Sequence, residues 1–215
     1  LTSRYNERER KHLKAAALFA SGEMPGAECV WESILDEFPN DLMALKFAHD
    51  SYFFSGNARG KRDSIARVLP KWKDSEPCKS YLYGMHAFGL EECLQYREAE
   101  SEARKALTLC SRDAWATHAL AHVFEMQTRT KESRYFLEST VEDWEVGIYA
   151  HVFFERAQSL ACHIHWHRAA TYIDEGNYEA AVSIFDEQIN TRALSTGSLL
   201  DYVDAASALL RLELQ

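Results

Sequence analysis

The stretch that decides the fold is Gly176-Asn-Tyr-Glu-Ala-Ala-Val-Ser-Ile-Phe185. Gly176 ends one helical pattern, Tyr178 wedges the turn that follows, and Ala181 is small enough for two helices to approach closely. Phe185 then fills the space between one helix pair and the next. Working outward, the same punctuation recurs at a fixed distance. Gly22 and Gly56 lie 34 residues apart, each after an apolar helical stretch. Ala99 and Ser133 share that offset, inside Tyr96-Arg-Glu-Ala-Glu-Ser-Glu-Ala-Arg-Lys-Ala106 and Thr130-Lys-Glu-Ser-Arg-Tyr-Phe136. A period of this length marks a supersecondary unit that buries its apolar face only by stacking on its neighbours.

With these anchors the units begin near Arg8, Leu42, Ser80, Ala114, Cys162 and Thr196. Three of the steps are 34 residues and the other two are longer, by 4 and 14. The extra residues fall in Lys71-Trp-Lys-Asp-Ser-Glu-Pro77, rich in helix breakers, and around Glu142–Ser159, where 148–156 reads as a short additional helix. The spacing predicts an all-α protein, an α-solenoid of tetratricopeptide-type helix–turn–helix repeats. It forms a single domain over 1–215, with about five repeats and the first helix of a sixth.

Composition agrees. Apolar residues make up 47% and charged residues 27%, a globular balance, and 9 Gly with 4 Pro leave little turn chemistry for a sandwich or barrel. The 33 acidic against 24 basic residues give a net charge of −9, which disfavours a general nucleic-acid binder. No apolar run approaches the ~20 residues that span a bilayer, so no membrane partner is expected. The five cysteines, Cys29, Cys78, Cys93, Cys110 and Cys162, include no CxxC pair and read as reduced thiols, mostly small buried hydrophobes, in the cytoplasm. The N-terminus has no initiator Met and no signal-peptide core, and the other end stops inside a helical pattern, so the chain reads as a piece of a longer one.

In such a solenoid the first helix of each unit lines the concave face. That places Lys46 and Asp50, His118, His122 and Glu125, His163, Trp166 and His167, and Asp201 and Asp204 in a candidate ligand groove. His118, His122 and Glu125 recur at i, i+4 and i+7 and form one stripe of a helix, with Ala116, Leu120, Val123 and Phe124 broadly opposite. His163 and His167 repeat the i, i+4 spacing in Cys162-His-Ile-His-Trp-His167, whereas His165 points elsewhere. Two such pairs on adjacent helices are a ready donor set for Zn or Fe. Against this stands the plainer reading of polar groove lining. Lys46 and Asp50 fit an ordinary i, i+4 ion pair, Asp201 and Asp204 solvated acids, and the tryptophans packing, with Trp166 the one facing inward. HExxH, a phosphate loop and a G-x-S-x-G elbow are absent, so no reaction is assigned.

Phe47-Ala-His-Asp-Ser-Tyr-Phe53, Asp113-Ala-Trp-Ala-Thr-His-Ala-Leu-Ala-His-Val-Phe-Glu-Met126, the His-rich 162–167 segment and Asp201-Tyr-Val-Asp204 resemble the tetratricopeptide repeat protein 38 family along nearly the whole chain. The resemblance implies the central part of a longer cytosolic helical-repeat protein, with no assigned reaction. Against the family pattern, 145–159 looks like an insertion, which either displaces His163 and His167 from His118 and His122, forms a helix capping the groove or reflects an unusual splice form. Two functions remain in view. The first is a non-catalytic scaffold binding a protein or peptide partner of unknown identity, with no cofactor. The alternative is a metal-binding protein or metal-dependent enzyme using His118, His122, Glu125, His163 and His167, with Glu125 a ligand or general base.

Overall fold

The computed structural model describes residues 4–149 and 155–215, and among them every regular element is helical. The chain divides into two compact units, Leu1–Glu102 and Ala103–Gln215. In the first, α1 (Glu7–Ala20) packs on α2 (Met24–Glu37), α2 on α3 (Leu42–Phe54), α3 on α4 (Ala58–Val68) and α4 on α5 (Lys79–Glu92). Helix α6 (Tyr96–Leu109) carries the boundary between the units.

Local chemistry starts these helices where the sequence demands. Asn6 and Glu9 form a reciprocal capping box, and Asp41, Asn57, Asp113 and Asn177 each accept a hydrogen bond from a first-turn N–H of the helix they precede. The turns inside the repeats share a second device, one residue with left-handed backbone. Gly22, Gly56 and Gly176 occupy it, and so do Leu94 (φ 62°) and Thr128 (φ 55°). These five positions are separated by 34, 38, 34 and 48 residues, the same steps that the sequence spacing gives. The repeat register is therefore set at the turns.

Helices α1, α3, α5 and α7 (Ala114–Met126) start within one residue of the expected unit starts. The fifth and sixth units depart from the pattern. Helix α10 (Glu155–Asp174) is twenty residues long and begins seven residues before Cys162. Between α11 (Tyr178–Ile184) and α13 (Leu199–Glu213) lie a widened turn of helix over Phe185–Asn190 and α12 (Thr191–Thr196). Thr196 thus ends a helix instead of opening one, because Gly197 in left-handed conformation stops α12 there. Of the segment 145–159, residues 150–154 lie outside the described residues; what precedes them completes α9 (Val141–Tyr149).

Each unit has its own apolar interior. Trp31, Ile34, Leu35, Leu45, Ile65 and Leu82 form the core of the first. In the second, α10 packs against α7, α8 (Thr130–Ser139), α9, α12 and α13. Ile164 meets Ala121, Leu137 and Trp144 on one side of α10, while Cys162, Trp166 and Ala169 meet Ile184, Phe185, Ile189 and Ala208 on another. A helix enclosed on several sides has no room for an all-polar face, so its polar residues sit where partners from other helices meet them. Of the five cysteines, all free, Cys162 alone is buried; the expectation that most are buried is corrected.

Candidate functional site

Helix α7 supplies the first half of the site. Ala116, Leu120, Val123 and Phe124 are all buried, which fixes its orientation and turns His118 and His122 toward α10. Helix α10 supplies the second half, His163 and His167, one turn apart. The four imidazoles converge. His118 Nε2 and His122 Nε2 are 2.8 Å apart, a contact in which one ring donates and the other accepts. Ring centroids are 4.4 Å apart for His118 and His122 and 4.7 Å apart for His163 and His167. Across the helices they are 4.9 Å from His118 to His163 and 4.6 Å from His122 to His167. One nitrogen from each of the four lies within 4.8 Å of the others. The four rings converge, so the reading in which 145–159 displaces His163 and His167 from His118 and His122 does not hold.

Two carboxylates orient half of this set. His167 Nδ1 lies 2.9 Å from Glu125 Oε2, and His163 Nδ1 lies 2.9 Å from Asp204 Oδ1. A carboxylate only accepts, so in both rings Nδ1 carries a proton and donates. His167 is 3% exposed, and its Nε2 has no hydrogen-bond partner among the described residues. Burial, reinforced by His163 and Arg211, holds His167 well below the usual histidine range, so its ring is neutral.

This corrects the part expected of Glu125: it braces Nδ1 of His167 and stays outside the converging set. It also corrects the reading of Asp201 and Asp204 as solvated acids. Both are buried, Asp204 against His163 and Asp201 accepting from Thr196 Oγ1 at 2.6 Å. Trp166 is buried too; its indole stacks on His163 at 5.6 Å and 4°, with the Arg211 guanidinium 4.9 Å from its ring centre. It backs the imidazoles from inside. As expected, His165 points elsewhere, to Glu145 Oε1 at 2.6 Å and edge-on to Trp144, and burial pushes it down to about 4. Arg192 reaches the same Glu145 oxygen at 2.6 Å, a partner no sequence spacing indicates.

Lys46 and Asp50 belong to the first unit, where they form the i, i+4 ion pair. Around them α3 exposes Met43, Phe47, Phe53 and Phe54. Phe47 stacks on Trp31 with centroids 5.7 Å apart, and Phe53 lies 5.9 Å from Phe88, so these rings are held in place from beneath while their outer faces stay wet.

No known family model matches the chain. Solved structures do. A thermophilic TPR protein of Thermus thermophilus is 16% identical, with 94% of this chain and 99% of that one covered and a TM-score of 0.64. YrrB, described as a TPR protein with an unusual peptide-binding site, is 16% identical over 92% of this chain and 89% of that one, with a TM-score of 0.52. A Rap protein complexed with Competence and Sporulation Factor is 15% identical over 93% of this chain and 57% of that one, with a TM-score of 0.67. The fold is the α-solenoid of tetratricopeptide-type repeats. At these identities the likeness carries the fold and leaves the ligand to the side chains.

Proposed function

We propose that this chain is a non-catalytic protein- or peptide-binding module of the cytoplasm, working through the outward face of α3. The observation that carries the reading is the set Met43, Phe47, Phe53 and Phe54, exposed around the Lys46–Asp50 pair on a helix whose other face is locked into the core. Rigid aromatic anchors lose little conformational entropy on binding, and an ion pair at their centre adds direction. The chemistry suits an extended or helical peptide with apolar anchors. Support comes from two of the structural neighbours, one described with a peptide-binding site and one complexed with a factor. The net charge of −9 argues against nucleic acid as the partner. Five free thiols suit a reducing compartment. Among the described residues no helix is long and apolar enough to cross a membrane. Kinship with tetratricopeptide repeat protein 38, resting on the quoted segments, is supported by the fold and adds no reaction to this reading.

The test is selection of peptides from a random phage-displayed library on the immobilised chain, followed by titration of the winners against Phe47→Ser/Phe53→Ser. Both positions are more than 40% exposed, so the variant is expected to fold. Affinity at least 10-fold weaker in the variant supports the reading; peptides that bind both chains equally refute it.

A further inference from the structure

We propose that His118, His122, His163 and His167 form a closed transition-metal site in the second unit, in which four imidazoles hold one divalent ion of the zinc class. The proposal stands on convergence. Four nitrogens each 2.0–2.1 Å from a tetrahedral ion lie about 3.3 Å from one another. Here one pair is 2.8 Å apart and the whole set falls within 4.8 Å, so small rotations of rings already in contact complete the sphere.

Three further features favour a metal over polar lining. The carboxylates of Glu125 and Asp204 accept hydrogen bonds from Nδ1–H of His167 and His163, so the nitrogen each ring can offer an ion is Nε2. Carboxylate–imidazole–metal relays are built this way, and the acids offset the charge of the ion. Secondly, the unpartnered Nε2 of His167 is buried, an expense that a bound ion removes. Thirdly, Trp166 stacked on His163 holds that ring in place. Nitrogen-only donors select zinc, copper, nickel or iron over calcium and magnesium. With all four positions supplied by the protein, the site has no open place for a water or substrate. It is therefore a structural clasp between α7 and α10, and metal-dependent catalysis is set aside. It is a separate feature from the α3 face, which belongs to the other unit.

The experiment uses the chain without a polyhistidine tag, stripped with EDTA and titrated with Zn²⁺ and, separately, Co²⁺. One equivalent is expected, with the visible ligand-field bands of a tetrahedral nitrogen-ligated Co²⁺ and a raised unfolding midpoint. His122→Gln/His163→Gln changes the two half-exposed members and should weaken Zn²⁺ binding at least 100-fold, while His86→Gln, an imidazole of the first unit paired with Glu102, should bind like the parent. Sub-stoichiometric or millimolar uptake, or equal uptake by the double variant, overturns the proposal. Should the double variant fail to fold, imidazole ¹⁵N spectra of the parent chain decide. Zn²⁺ must shift the signals of these four rings and spare His12 and His86; no shift, or a shift confined to other rings, overturns it.

Discussion

Replacing Asp113 by Asn tests how the helix carrying His118 and His122 is anchored. Asp113 is fully buried, and its Oδ1 accepts from the N–H groups of Trp115 and Ala116, each at 3.1 Å, while its Oδ2 has no partner among the described residues. Burial outweighs those two hydrogen bonds and raises the carboxyl from 3.8 to about 7. The sign follows from proton counting. Between pH 4 and 7 the folded chain keeps the Asp113 proton and the unfolded chain has released it. Stability therefore falls as pH rises, by about 1.4 kcal/mol per unit, and roughly 4 kcal/mol is lost once pH passes 7. Below about 4 both states are protonated and this contribution is flat. Asn keeps the capping oxygen and abolishes the charge, but it places an NH₂ where Oδ2 stood, at a cost of about 1–3 kcal/mol. At pH 8 the variant should gain about 1–3 kcal/mol over the parent; at pH 5 the order should reverse or vanish. Urea unfolding followed by circular dichroism at pH 5, 6, 7 and 8, in EDTA, measures the difference. Parallel pH profiles for the two chains would refute the reasoning, whatever their absolute stabilities.

Other expectations are simpler. Trp144 is fully buried between Leu137, Ala121 and Ile164, so Trp144→Ala should cost about 3–5 kcal/mol, read by thermal or urea unfolding. A Cβ at Gly89 would stand 2.7 Å from Arg62 Cα, and backbone cannot yield as a side chain does; Gly89→Ala should cost at least about 1–3 kcal/mol by the same assay. Leu94 holds left-handed backbone with its side chain 69% exposed, so Leu94→Gly should stabilise by about 1 kcal/mol, visible as a raised unfolding midpoint. Glu125→Gln and Asp204→Asn should each weaken Zn²⁺ binding about 10–100-fold in competition with a chelator without abolishing it, since they brace ligands and are not ligands themselves.

The repeat was legible because its turns impose a chemical requirement that recurs. Glycines at 22, 56 and 176 announce the left-handed residue that each turn needs. Leu94 and Thr128 occupy the same place without that signal, since nothing in a leucine or threonine codon advertises positive φ, and only the spacing between neighbours implied them. The last two units were harder for a different reason. A helix buried on several sides shows weak amphipathic contrast, so neither the seven residues that α10 adds before Cys162 nor the widened turn over Phe185–Asn190 stands out in the pattern.

The same distinction between local and distant causes explains the site. Spacing of i, i+4 puts His118 beside His122 and His163 beside His167 whatever the rest of the chain does. Which pair faces which is decided by the packing of α7 and α10, across the longest step between repeats, and no periodicity carries that information. The errors over the acids follow. An aspartate is read as solvated because an isolated charge is costly to bury, yet Asp204 is buried because His163, 41 residues earlier, meets it there. Glu125 lies on the histidine stripe of α7, so by spacing alone it looks like a fifth ligand; instead its carboxylate accepts from Nδ1 of His167, and the four imidazoles converge without it. What spacing cannot distinguish, a ligand and the group that orients a ligand, is decided by which nitrogen of one ring each partner reaches.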